Sequence, residues 1–117
     1  MPETRPSVTD PADCRVVLCT CPDSACAARL AGGLVEHGLA ACVNVIDGIR
    51  SIYRWQGEVS DEAETLMIIK TTGSRYPELQ RWLERHHPYD VPEVIALDVS
   101  EGAPSYLEWV ASQTRPA

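Results

Sequence analysis

The order of extended and helical runs is the feature that most constrains the fold of this chain. Residues 15–21 (RVVLCTC) are apolar and β-branched without a helical period, which predicts a short, largely buried strand. A helical pattern begins near Ser24 and ends at Gly38, and two extended runs, 41–55 and 65–71, follow it. The first part of the chain therefore predicts the order strand, helix, strand, strand.

The second part of the chain predicts another helix and another strand. The helix begins near Ser74 and must end at Pro88, because the residue before a proline disfavours the helical conformation. Residues 93–100 (EVIALDVS) predict the last strand, and Pro104 opens a short final helix. This order is that of an α+β, ferredoxin-like split βαββαβ antiparallel sheet with an extra C-terminal helix.

Length and charge limit the size of the domain and the choice of partners. The 117 residues suffice for one domain, predicted over residues 14–117, whereas the polar, proline-containing residues 1–13 predict a flexible tail. A net charge of −7 disfavours binding to nucleic acid or to anionic membrane surfaces. No apolar run has the length of a membrane span, and residues 1–13 lack the apolar stretch of a secretory signal. We therefore expect a cytoplasmic protein with no nucleic-acid or membrane partner.

The position of the turn between the two extended runs stays open. Asp47-Gly48 and Gln56-Gly57 both favour a turn, although a bulge at the first would let one strand continue to the second. Residues 49–55 carry apolar side chains on both strand faces, which predicts a partner for the second face. The acidic residues within 58–64 are more typical of a solvated hairpin tip than of a cation site.

Two adjacent histidines, His86 and His87, mark the end of the second helix beside Pro88. In the predicted sheet the first and last strands are antiparallel neighbours, so Cys19, near the end of the first, lies beside the start of the last. A thiol and two imidazoles at one rim would favour Cu(I), Cu(II) or Zn(II). Cys21 shares the strand face of Cys19 and could compete for a soft ion.

The same residues also have a purely structural interpretation. Adjacent helical residues diverge by about 100°, so both imidazoles reach one ion only if the helix has unwound at His87. Otherwise His86, at the end of the buried helix stripe, packs in the core, and His87 caps the helix in solvent. The five cysteines are expected to be thiols, mostly packed as small buried hydrophobes, because disulfides are rare in the cytosol.

Several short motifs follow one another along the chain. They are VLCT (17–20), LAACVN (39–44), IYRWQG (52–57), IKT (69–71), HHPY (86–89), VPE (91–93) and YLEW (106–109). Together they resemble the CutA divalent-cation-tolerance family from about Val16 to Val110. The resemblance implies a ferredoxin-like fold, a hairpin turn at Gln56-Gly57, and a homotrimer, similar to PII signalling proteins, that would cover residues 49–55. It also implies binding of copper, or of another divalent cation such as zinc, through Cys19, His86 and His87.

Two functional interpretations follow from the resemblance. The first is a non-enzymatic metal-binding trimer for divalent-cation (copper) tolerance, in which Tyr89, Asp90 and Glu93 are outer partners of the ligating imidazoles. The alternative is a PII-like signalling module whose clefts between subunits hold a small ligand or a partner segment, with Lys70, Tyr89 and Glu93 among the lining residues. Thiol catalysis by a cysteine and histidine pair is disfavoured, because the sequence contains no oxyanion-hole signature.

Overall fold

The computed structural model describes residues 13–115, and these residues fold in the predicted order of elements. Except for Asp13, the predicted tail 1–13 lies outside the described residues, as do the last two residues of the predicted domain. The described part is α+β, which confirms the predicted fold class, and none of its helices is long and apolar enough to cross a bilayer. The elements are β1 (Cys14–Cys21), α1 (Ser24–Glu36), β2 (Cys42–Trp55), β3 (Glu58–Thr72), α2 (Tyr76–His86), β4 (Ile95–Asp98) and α3 (Pro104–Gln113).

The sheet has the strand order β2-β3-β1-β4, and each strand runs antiparallel to its neighbours. The central strand β1 pairs with β3 along its whole length but with β4 only through residues 15–18. Residues 19–21 therefore extend beyond the start of β4. The chain that joins α2 to β4 passes this end of β1, as predicted for neighbouring first and last strands.

The main core lies on one face of the sheet, packed against α1 and α2. Alternation along β1 places Val17, Cys19 and Cys21 on this face, and all three side chains are fully buried. A smaller cluster of buried residues packs α3 near Cys14. The other fully buried members of the main core include Leu30, Leu34, Met67, Ile69, Leu79 and Leu83.

The hairpin between β2 and β3 turns at Gln56-Gly57. Both residues have positive φ, 52° and 83°, which two-residue hairpin turns of the commonest kind require at both central positions. Asp47-Gly48 forms a bulge instead, and the register with β3 shifts there between Ile46 and Ile49. The long strand therefore continues through the bulge to Trp55, which confirms one of the two predicted alternatives.

The distal half of this hairpin, residues 49–64, is called the arm below. Ile52 and Val59 on one of its faces are each 65% exposed, and Trp55 on the other face is 51% exposed. Arg50 and Asp61, both also exposed, form an ion pair across the two strands. Among the described residues, apolar side chains on both faces of the arm are thus left exposed.

Helices α1 and α2 meet where Gly33 faces the indole ring of Trp82. A Cβ atom added to Gly33 would lie 2.6 Å from Cη2 of that ring, closer than carbon atoms can pack. Gly32, one residue earlier, faces open space. The contact depends on the missing side chain of Gly33, and it sets the spacing of two helices that end beside His37 and His86.

Candidate metal centre

Two thiols and one imidazole meet at the end of β1. Candidate ligand atoms of Cys19, Cys21 and His87 all lie within 4.8 Å of one another, and all three side chains are buried. The cysteines share one face of β1, and His87 directly follows α2, where the chain passes the end of that strand. The sheet topology therefore brings together side chains that are far apart in the sequence.

His87 is held by hydrogen bonds at both ring nitrogens. Its Nε2 donates to the carbonyl oxygen of Thr20 at 2.8 Å, and the backbone N–H of Tyr89 donates to its Nδ1 at 3.1 Å. Because Nδ1 accepts a hydrogen bond, the proton lies on Nε2 and the ring is neutral. Pro88 explains the placement, since it holds His87 in the predicted extended conformation (φ −76°, ψ 142°) and so ends the helix before it.

His86 lies outside this cluster. Its Nδ1 is 2.8 Å from the carbonyl oxygen of Trp82, and its ring stacks on the indole of Trp82 with centroids 4.2 Å apart. The side chain of His86 is exposed, whereas His87 is 7% exposed. The structural interpretation that buries His86 and leaves His87 in solvent is therefore wrong, because the unwound residue turns inward. Of the three predicted ligands, the structure brings together Cys19 and His87 and leaves His86 on the surface of α2.

The thiols at this end of the sheet interact with one another. The neighbouring Cys19 thiol lowers the pKa of Cys21 against the opposing effect of burial. The interaction with Cys21, followed by burial, raises the pKa of Cys19, whose sulfur donates to the carbonyl oxygen of Thr20 at 3.9 Å. Cys26 lies in the first turn of α1, where its N–H donates to Asp23 at 2.8 Å and Arg29 lies 3.5 Å from its sulfur. Among these three thiols, Cys21 ionises most readily.

Tyr89 links the cluster to the arm. Its backbone N–H donates to His87, and its hydroxyl donates to Glu64 Oε2 at 2.6 Å. Glu64 is 8% exposed, so the phenol provides a hydrogen bond to a largely buried carboxylate. Burial, followed by this hydrogen bond, raises the pKa of Tyr89. Tyr89 therefore touches His87 through its backbone, as an outer partner of the imidazole would.

A cavity of about 580 Å³ lies between the arm and the loop that follows α2. Asp90 and Glu93, both predicted as outer or cleft residues, line this cavity. Lys70 does not line it: this residue lies further along β3, and its ammonium group donates to Asn44 of β2. The remaining charged and aromatic residues of the lining are Tyr53, Trp55, Glu62, Glu64 and Tyr89.

The donor atoms of the cluster fit a soft metal ion. Thiolate and imidazole ligands favour copper or zinc over magnesium or calcium, and Cys19, Cys21 and His87 are close enough to share one ion. Binding would release thiol protons, and His87 would exchange one of its two hydrogen bonds for the metal. The alternation of Cys19 and Cys21 along one strand face is the sequence signal that points to Cys21 as a ligand.

Known proteins resemble this chain over nearly all of its described length. The family model described as CutA1 divalent ion tolerance protein matches residues 15–113. The divalent-cation tolerance protein CutA of Thermus thermophilus is 48% identical over 99 residues, which cover 85% of this chain and 96% of that protein. The protein of the same name from Pectobacterium atrosepticum is 46% identical over 103 residues, covering 88% of this chain and 94% of that one.

Solved structures give the same result for the fold. CutA1 from Oryza sativa superposes with a TM-score of 0.87 at 44% identity, covering 91% of this chain and 97% of that chain. The Thermus thermophilus divalent cation tolerance protein superposes with a TM-score of 0.85 at 46% identity, covering 87% and 99% respectively. Sequence and fold together show that the chain belongs to the CutA1 divalent ion tolerance family.

Proposed function

We propose that this protein is a non-enzymatic metal-binding protein that contributes to tolerance of divalent cations, copper above all, and that it acts as a cytoplasmic homotrimer. The observation that carries the proposal is the buried meeting of the Cys19 thiol and the His87 imidazole at the end of β1. The names of the relatives, which refer to divalent-cation tolerance, support the same function. Copper is expected to bind more tightly than zinc, because copper stands above zinc in the general affinity order of such sites.

The proposed ligands are Cys19, His87 and His86, and the geometry supports them unequally. Cys19 and His87 already lie together, whereas His86 would join them only by leaving its stacked position on Trp82. The backbone N–H of Tyr89 would orient the His87 ring, and Asp90 and Glu93 would act from the side of the cavity. Lys70, which contacts Asn44, is not part of the proposed site.

The apolar surface of the arm supports the proposed homotrimer. Ile52, Trp55 and Val59 form an exposed apolar surface of the kind that marks protein interfaces, and exposed apolar area costs about 25 cal/mol per Å². The edge strand β4 also presents Ile95 and Leu97, each 50% exposed. In a trimer the arm of each subunit would cover apolar surface on a neighbour. The second face of residues 49–55 would then also be covered.

The cysteine thiols support a reducing, cytoplasmic location for this chain. All five lie within the described residues and remain thiols, which persist where glutathione keeps cysteines reduced. Location differs among relatives, since the rice and Arabidopsis proteins are named chloroplastic and a structural relative from Archaeoglobus fulgidus is described as periplasmic. Fractionation of cells that produce the full chain tests the cytoplasmic assignment.

Metal titration of the reduced protein tests the proposed function. We expect the protein to bind copper and His87→Ala to lower the copper affinity at least about tenfold. Tenfold is the smallest effect typical of losing even a group that orients a metal ligand, about 10-fold to 100-fold. His37→Ala is the matched control for His86→Ala, because both rings are exposed and both place Nδ1 2.8 Å from the carbonyl oxygen four residues earlier. Unchanged copper affinity in both Cys19→Ser and His87→Ala would refute the proposed site.

The cavity beside the arm favours a second candidate function, that of a PII-like signalling module. Its volume of about 580 Å³ lies in the range of small-molecule pockets, and Tyr89 and Glu93 line it as predicted for a cleft. A thermal-shift screen of nucleotides, small anions and organic cations tests this candidate, because a ligand that binds only the folded protein raises its melting temperature. A ligand that shifts the melting temperature without metal would favour signalling.

A further inference from the structure

Two thiols, those of Cys19 and Cys21, meet the imidazole of His87 at the end of β1. The Cys21 sulfur lies within 4.8 Å of both the Cys19 sulfur and a His87 nitrogen. His86 takes no part in this cluster because its ring is stacked on Trp82. The immediate surroundings of an ion at this point would therefore be two sulfurs and one nitrogen.

Two carboxylates near the cluster, those of Asp23 and Glu64, already have hydrogen-bond partners. The carboxylate of Asp23 accepts the backbone N–H of Cys26 at 2.8 Å, and Glu64 accepts the hydroxyl of Tyr89 at 2.6 Å. Each carboxylate would exchange a hydrogen bond for the metal, as His87 also would, so the choice of ion depends on the type of ligand atom. The ligand atoms that lie within 4.8 Å of one another are two soft sulfurs and one imidazole nitrogen, which favour Cu(I) over ions that prefer oxygen.

The strand geometry supports the same choice. Cys19 and Cys21 both point into the core from one face of β1 and are completely buried, so an ion there would be shielded from water. Cu(I) is stable with few ligands, whereas Cu(II) prefers a tetragonal shell of nitrogen and oxygen that this cluster does not supply. We infer that Cys21, in place of His86, joins Cys19 and His87 as a ligand and makes the site selective for a monovalent soft ion, Cu(I) or Ag(I).

This inference rests on the proposed metal-binding function and specifies the ion and the ligands. One Cu(I) ion would replace the protons of the Cys19 and Cys21 thiols, which leaves a complex with one net negative charge and no change in oxidation state. The guanidinium of Arg29, 3.5 Å from the sulfur of the adjacent Cys26, supplies nearby positive charge.

Competition with a coloured Cu(I) chelator such as bicinchoninate, under anaerobic conditions, measures the affinity of the wild-type protein and its variants. We expect Cys21→Ser to weaken Cu(I) binding by at least about a hundredfold, the upper end of the effect of losing even an outer partner of a metal site. His86→Ala should leave the affinity within about twofold, the level of the matched cysteine control. That control is Cys42→Ser, which changes a partly buried thiol of β2 outside the cluster.

X-ray absorption of the copper-loaded wild-type protein gives a second measurement that needs no variant. We expect two sulfur ligands and one nitrogen ligand around Cu(I), and one sulfur with two nitrogens would overturn the inference. Zn(II) in excess should not displace the bound Cu(I), and displacement would contradict the proposed selectivity. Because Cys21 is buried, circular dichroism must show that Cys21→Ser folds like the wild type. If the variant does not fold, X-ray absorption of the wild-type protein decides whether Cys21 is a ligand.

The outcomes separate this inference from the proposed function on which it rests. Copper binding that requires Cys19, His86 and His87 but tolerates Cys21→Ser would refute the role of Cys21 and leave the proposed function intact. A wild-type protein that binds none of Cu(I), Cu(II) and Zn(II) would refute both. Loss of Cu(I) affinity in each of Cys19→Ser, Cys21→Ser and His87→Ala, with the affinity of His86→Ala unchanged, would establish the ligand set argued above.

Discussion

The C-terminal end of β1 and the arm belong to the same sheet, but their side chains are buried to very different degrees. Around β1, Cys19 and Cys21 are fully buried, and the polar ring of His87 has hydrogen bonds at both nitrogens. In the arm, Ile52 and Val59 are each 65% exposed. Within residues 13–115, the side chains of the first region are buried, whereas the second region exposes apolar side chains.

This difference in burial distinguishes a candidate ion site from a candidate association surface. A buried cluster with few water contacts can hold an ion in fixed geometry, because its side chains are set by packing and hydrogen bonds. An exposed apolar strand pair offers area and edges, which suit association with a second copy of the chain. Substitutions in the two regions should therefore differ in which property they change, and the following predictions run from the largest expected effect to the smallest.

Val59→Asp should have the largest effect, because in the proposed trimer it places a carboxylate in an apolar interface. We expect light scattering to report the mass of one chain, and the melting temperature to fall by more than about 10 °C. Val35→Asp is the control, since Val35 is 45% exposed on α1, outside the arm. If Val59→Asp keeps the mass of three chains, the arm is not the interface.

His87→Ala should destabilise the fold by about 2–4 kcal/mol, because it removes a buried ring and leaves the Thr20 carbonyl and the Tyr89 N–H without their partner. His86→Ala should cost less than about 1 kcal/mol, since that ring is exposed on α2. Urea unfolding of both variants without metal, at one protein concentration, measures the difference. Equal losses would show that the two histidines do not differ in structural role.

Tyr89→Phe should cost about 1.5 kcal/mol at neutral pH, because the hydroxyl bonds the largely buried Glu64 carboxylate. Burial and this bond raise the pKa of Tyr89, so the unfolded chain loses the phenolic proton first as pH rises. The stability that the hydroxyl provides is complete below about pH 10 and is lost as pH rises through the folded-state pKa.

Thermal unfolding of the wild type and Tyr89→Phe between neutral and strongly alkaline pH measures this contribution. The two proteins should differ most at neutral pH and converge as the solution becomes more alkaline. Tyr76→Phe is the control, because burial is the main cause of the raised pKa of Tyr76. A difference in melting temperature between the wild type and Tyr89→Phe that grows with pH would contradict the stabilising role assigned to the Tyr89 hydroxyl.

Gly33→Ala should have the smallest effect, a net destabilisation of less than about 1 kcal/mol relative to the wild type. The new Cβ at Gly33 would lie 2.6 Å from the ring of Trp82, and the resulting strain outweighs the gain in helix propensity. Gly32 faces open space, so Gly32→Ala should stabilise the helix by up to about 1 kcal/mol. Chemical denaturation compares the pair, and the opposite order of stability would show that Trp82 moves without cost.

Local patterns in the sequence predicted most of the fold. The alternation of Val17, Cys19 and Cys21 along β1 predicted their shared face, and Pro88 predicted the extended conformation of His87. The turn stayed open between Asp47-Gly48 and Gln56-Gly57, because both dipeptides permit a hairpin. Pairing of β2 with β3 on both sides of the bulge decided it, since this pairing retains the hydrogen bonds of the long strand.

The candidate site was predicted less completely. Helical periodicity placed His86 at the end of the buried stripe, but periodicity holds only inside a helix and gives no orientation to the residue after it. The ring of His87 turns inward because the helix ends at His86 and because Thr20 offers a hydrogen-bond acceptor at the end of β1. The predicted set of Cys19, His86 and His87 remains a prediction to be tested by metal titration.

The sequence by itself determined the elements of this protein and the faces of its strands, because both depend on neighbours close along the chain. Only the tertiary structure decided that His87 joins Cys19 and Cys21 and that His86 stacks on Trp82 instead. These contacts join β1 and the end of α2. Their distances depend on strand order and helix packing, which local patterns do not specify.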